Sequence, residues 1–166
     1  MARTVVSLTP GSADFPASNF PQLSQIDATR RRLVLAYDAA TDEAAWWTFA
    51  APQGLTAPIT AIITYFMASA TSGSVRFECV VEAVTDGDAI DLDAADSFDA
   101  TNNAGATVPA TQGNPDQISI ILTNNDSMTA QDMVRVKINR DADGTTGTDD
   151  AAGDCYVTLI EIRDSG

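Results

Sequence analysis

From Ser74 to Val84 apolar and polar residues largely alternate. Val75, Phe77, Cys79, Val81 and Ala83 take one parity, and Arg76, Glu78 and Glu82 take the other. Only a strand converts that spacing into one apolar and one wet face, because its side chains point to opposite sides in turn. Shorter runs of the same kind occupy Arg32–Tyr37, Ala45–Phe49, Ile59–Ala68, Ala106–Val108, Gln117–Thr123, Met133–Asn139 and Cys155–Arg163. That makes about eight strands, with no amphipathic helix of three turns among them. Short connections alternate with a few long ones. The expected fold is all-β: an antiparallel two-sheet sandwich with jelly-roll or Greek-key connections. An immunoglobulin-like sandwich is the nearest competitor, but its Cys…Trp…Cys spacing is missing.

The acids support this reading. The chain holds 23 acidic and 9 basic residues, a net charge of −14. Nineteen of the acids are Asp and four are Glu. Asp prefers turns, where its short side chain bonds the local backbone, whereas Glu favours helices. Two strands carry further signals. In the run 59–68, Ile59, Ile63, Tyr65 and Met67 face one way while Ile62 and Phe66 face the other. A strand apolar on both sides needs a second cover, from the chain itself or a neighbour. In the last run, Tyr156, Ile160 and Ile162 compete with Val157 and Leu159 for the inward face, which a β-bulge would reconcile.

Residues 1–30 read as an extended N-terminal arm, and 31–166 as the sandwich domain. Pro10, Pro16 and Pro21 punctuate the arm, and proline cannot donate to a ladder. Phe15 and Phe20 make it too apolar for a free tail, so it is expected to lie on a surface, its own or a neighbour's. No window approaches the roughly 18 apolar residues of a membrane span. The first residues lack the apolar core of a signal peptide, so synthesis in a cytoplasm and no membrane partner are expected.

Several chemistries are excluded outright. There is no histidine, which removes Ser-His-Asp and Cys-His catalysis and His-ligated zinc. No nucleophile elbow or phosphate loop appears, and no enzymatic activity is expected. A chain this negative repels nucleic acid. Cys79 and Cys155 read as two small buried side chains, with a disulfide as the alternative.

Three groups of residues remain. Asp141, Asp143, Asp149 and Asp150 are weak candidates for calcium, since alternate carboxylates around a glycine suit a hard cation. The bidentate Glu of an EF-hand is absent, however, and a solvated turn is the plainer reading, so no cofactor is expected. Trp46 and Trp47 must point to opposite faces. Trp47 shares the parity of Phe49 and is expected in the core, which leaves Trp46 outside to stack on a sugar or lie under another subunit. Arg30, Arg31 and Arg32 form the one basic cluster and suit an acidic partner. With Phe15, Phe20, Trp46, Ile62 and Phe66 they are the candidate interface residues.

The stretch Arg32–Asp164 also resembles small β-sandwich proteins encoded among the virion genes of tailed bacteriophages. The resemblance rests on Met67-Ala-Ser-Ala-Thr-Ser-Gly73 with Val75-Arg-Phe-Glu78, on Glu82 to Asp93, on Leu122 to Asp132, and on Arg140-Asp-Ala-Asp143 with Gly153-Asp154. These are turn motifs, and the resemblance they carry covers about four-fifths of the chain. The resemblance implies a structural part of a virion: a capsid decoration or head-fibre subunit, or part of a tail fibre. Such a subunit self-associates, often as a homotrimer, and docks on other virion proteins. The alternative is a carbohydrate- or receptor-binding module of a tail fibre, with a glycan as partner.

Overall fold

The alternating runs form strands, and all of the strand pairings are antiparallel. A computed structural model describes residues 1–166. Its strands are β1 (Arg3–Leu8), β2 (Gln22–Ile26), β3 (Arg32–Tyr37), β4 (Glu43–Ala50), β5 (Thr60–Met67), β6 (Ser74–Val84), β7 (Asn102–Thr107), β8 (Asp116–Ile121), β9 (Met133–Arg140) and β10 (Cys155–Asp164). One 3-10 turn at Pro10–Ser12 is the sole helical piece. The first sheet runs β2-β3-β10-β5-β8, with β1 also on β10, and the second runs β4-β9-β6-β7.

The inner faces meet in one apolar core. Ala61, Ile63, Tyr65 and Met67 of β5 oppose Val75, Phe77, Cys79 and Val81 of β6, and none is more than 1% exposed. Each large side chain buried this way contributes about 1.5–3 kcal/mol. Tyr37 meets Phe77 edge to face at 5.3 Å, joining one sheet to the other. Trp47 is in this core, as its parity requires, and its indole N–H donates to the Thr9 carbonyl at 3.0 Å. Both cysteines are buried and free. Burial pushes the Cys79 thiol up to about 12 and the Cys155 thiol higher still, so both stay protonated.

The ambiguity of the last strand resolves as a bulge. The register of β10 against β5 shifts between Val157 and Leu159, so Val157 before it and Ile160 and Ile162 after it all point inward.

The leading residues differ from their reading as an arm outside the sandwich. Arg3–Leu8 pairs with the end of β10, and Gln22–Ile26 pairs with β3, raising the strand count to ten. Between them, Asp14 bridges Trp46 and the Asn19 carbonyl accepts the Ala44 N–H, so the segment closes the free edge of β4. The three prolines fall between these pairings rather than within them, which is why the segment can be both proline-rich and part of the sheets. Phe15 packs against the core, with Phe20 5.7 Å from it and 41% exposed.

The wet face expected of β6 is partly covered. Glu82 is fully buried, because the connection 85–100 folds over it. Its carboxylate accepts the Ser97 N–H and pairs with Arg135 at 2.9 Å, and Arg135 also holds Asp96. Phe98 lies under the Arg135 guanidinium at 5.2 Å, outside the sheet.

Candidate ligand cleft

The cleft follows from a competition for one edge. β3 stays with β10 for three residue pairs, at Cys155–Val157, and beyond the bulge β1 takes the same side of β10. Two strands cannot hold one edge, so the β2–β3 hairpin leaves the sheet there. Its tip, residues 27–31, then reaches over the outer face. Val34 is fully buried although its parity is outward, as this placement requires.

Ile26, Asp27, Arg30 and Arg32 of the hairpin line one side of an open cleft of about 280 Å³, with Phe66 and Pro115 also lining it. That volume falls just below the range of drug-sized ligand sites, about 300–1,000 Å³, as suits a short segment of a ligand. Phe66 meets Tyr156 edge to face, ring centroids 5.4 Å apart and planes at 83°, which fixes its ring on the outer face. Asp27 adopts φ 58° and its carboxylate accepts the Thr29 and Arg30 N–H groups. Those bonds, the Thr29 one first, then the Arg30 side chain, hold its pKa below the usual aspartate value.

Three of the eight interface candidates, Arg30, Arg32 and Phe66, are therefore brought together. Arg31 sits exposed at the hairpin tip beside them. The others lie elsewhere. Ile62, 6% exposed, borders a hollow with Pro58 and Arg163 near the chain ends. Trp46 is half-buried beside Pro16 and Asn19, and its indole N–H is shielded from solvent without an acceptor. Asp27 and Pro115 were not singled out from the sequence. Their one signal was turn composition, at Asp27 itself and at Gly113-Asn114 before Pro115.

The acidic loop is a solvated turn only in part: Asp143 and Asp150 are exposed, but Asp141 and the Asp149 side chain are not. Asp141 is fully buried, its two oxygens accepting the backbone N–H and hydroxyl of Thr145 and of Thr146. Burial pushes its pKa up, but those four bonds outweigh it and hold the carboxylate below the ordinary value. They also fill the roughly four acceptor positions of a carboxylate, leaving none for a cation. Asp42, rather than Asp149 or Asp150, joins Asp141 and Asp143 in one cluster. Asp149 forms a fully buried pair with Arg140 at 2.8 Å, and Asp150 accepts the Ser74 N–H. That contact holds the loop against Gly73, where φ is +89° and a Cβ would come within 2.9 Å of the Ala151 backbone. The four acids thus serve three separate structural ends.

No family model and no curated protein matches the sequence. Among solved structures the chain is similar to TmCBM27, a carbohydrate-binding module that recognises mannan. The TM-score is 0.47 at 9% identity, over 100% of this chain and 99% of that one. It is also similar to CBM28, a module specific for non-crystalline cellulose, with a TM-score of 0.46 at 10% identity over 91% and 84% of the two chains. Both neighbours are carbohydrate-binding modules, and likenesses this distant say nothing of a ligand.

Proposed function

We propose that this chain is a non-enzymatic recognition module that binds carbohydrate in the cleft over Phe66, the receptor-binding kind of part expected of a phage tail fibre. One observation carries the reading: the hairpin tip and Phe66, remote in sequence, converge on one open cleft that pairs an aromatic ring with guanidinium donors. A sugar offers an apolar ring face and a rim of hydroxyls. Phe66 suits the first, and Arg30, Arg32 and Asp27 suit the second. Binding to a glycan array, absent in Phe66→Ala while the melting curve stays cooperative, is the expected result. An array that stays blank for the parent chain refutes it.

A second reading, a self-associating virion subunit of the decoration or head-fibre type, has its own support in the β2 edge. The edge of β4 is closed by residues 14–19, whereas β2 ends its sheet with Leu23 46% exposed, near Phe20 and Leu33 at 41% and 40%. Open apolar edges invite pairing with another chain. Light scattering should then show a trimer that Leu23→Glu reduces to monomer. A monomeric parent chain at high concentration rejects this reading.

A further inference from the structure

We infer that the saccharide taken by this cleft is an anionic one bearing carboxylates, as a polyuronate does; the inference rests on the carbohydrate reading above. The first ground is how the cations are used. Arg3, Arg135, Arg140 and Arg163 are each committed to carboxylates outside the cleft, and Arg76 donates to Asn103. At the hairpin tip Arg30 shares Asp27, while Arg31 and Arg32 have no carboxylate within 4.0 Å. Two adjacent unpaired guanidiniums are unexpected on a chain with 23 acids, which offers each of them a surplus of counter-charges. Residues 27–32 carry a net charge of +2 on a chain of −14. A neutral sugar makes no use of such a patch, whereas a carboxylate accepts two parallel bonds from one guanidinium.

The second ground is the opposite wall. The chain from Thr101 to Pro115, which supplies Gly113 and Pro115 to the cleft, contains no acidic residue at all. The next acid, Asp116, accepts a hydrogen bond from the Tyr65 hydroxyl at 3.2 Å. Asp27 is therefore the one carboxylate lining the cleft, and it is already engaged by Arg30. An anion entering there meets cations on one side and neutral backbone on the other. The net charge of −14 disfavours an anion over the surface as a whole, which favours its collection at this basic point. Phe66 and Arg32 line the same cleft, so one uronate residue offers its ring to the first and its carboxylate to the second.

The test is calorimetry on the full chain with trigalacturonic acid and with its methyl ester, which has the same shape without the charge. The acid should bind about tenfold or more tightly than the ester, a difference one lost charge-assisted contact produces. Its affinity should fall as salt rises from about 50 to about 300 mM, since screening weakens exposed charge contacts. Arg32→Gln should remove that preference, and Lys137→Gln, on the outer face of the other sheet, should leave it intact. Equal binding of acid and ester, or a preference that survives Arg32→Gln, overturns this inference and leaves the carbohydrate reading standing. A chain that binds neither probe and nothing on a glycan array overturns both. Self-association abolished by Arg32→Gln, with no saccharide bound, overturns it in favour of an acidic segment of a second copy.

Discussion

The two outer faces of this sandwich have opposite fates. On the sheet built from β4, β9, β6 and β7, the outward positions include Arg76, Glu78, Glu82, Arg135 and Lys137, and the long connection 85–100 closes over Glu82 and Arg135 with hydrogen bonds and an ion pair. On the sheet built from β2, β3, β10, β5 and β8, the outward positions include Phe66 and Tyr156, and the hairpin tip together with Gly113 and Pro115 forms an open cleft at Phe66 rather than a closed cover. A carboxylate is fully buried on one face, while an aromatic pair on the other stays half-exposed. This inverts the usual expectation for surface exposure, and it teaches that burial here follows chain connection rather than polarity alone.

The largest effect should come from breaking the covered face. Glu82→Ala removes the carboxylate holding Arg135 and Ser97 and should cost about 2–3 kcal/mol. That is below the full value for a buried pair, because Arg135 is partly solvated and keeps Asp96. Thermal melting measures this, and a change under about 0.5 kcal/mol would show the connection to be loosely laid. Phe66→Ala should cost only about 1 kcal/mol, the order of one partly exposed aromatic pair, while abolishing glycan binding. The sharpest contrast would be these two variants side by side, one losing stability and the other losing function.

Acid should separate the faces more gently. The covering connection is pinned at its ends by Asp132, which accepts the Thr85 hydroxyl, and by Asp99, which accepts the Asp126 and Ala100 N–H groups. The Asp126 and Ala100 bonds hold Asp99 below the ordinary value of 3.8. At Asp132 burial works upward, but bonds from Thr129 and Thr85 prevail and its value too lies below 3.8. Because both values are depressed in the fold, their stabilisation is complete above the unfolded value and is lost as pH falls through the folded one. Hydrogen exchange should therefore quicken across 85–100 below about pH 4, before the core strands respond. Last and smallest, Lys137→Gln should change stability by less than about 0.5 kcal/mol, as a half-buried cation without a carboxylate partner.

How much of this could be read from the sequence depended on range. β6 and β9 carry their fold in local alternation, and the rival inward residues of β10 were enough to place its bulge. β1 was hidden because Arg-Thr-Val-Val-Ser-Leu has no clean period of two and sits beside prolines. Glu82 had the right parity for an outward residue, but nothing local announces that a distant segment will close on it. Asp141 and Asp149 follow the same logic, since their partners Thr145, Thr146 and Arg140 are ordinary residues until the loop folds back. In the cleft, Arg30, Arg32 and Phe66 each stood out separately, for charge or for a second apolar face. Their meeting is a product of β1 displacing β3 along β10, a long-range pairing that no window of sequence contains.

That same displacement has a mechanical corollary. The first strand runs against the last so that Arg3 is opposite Asp164, clasped by a bidentate pair at 2.9 Å. Tension applied between the two ends of the polypeptide would meet the rungs of this pair singly, from Arg3 inward, and peel the strands apart like a zip. A tether at one end and a grip on the hairpin tip would instead load many rungs together and hold far longer.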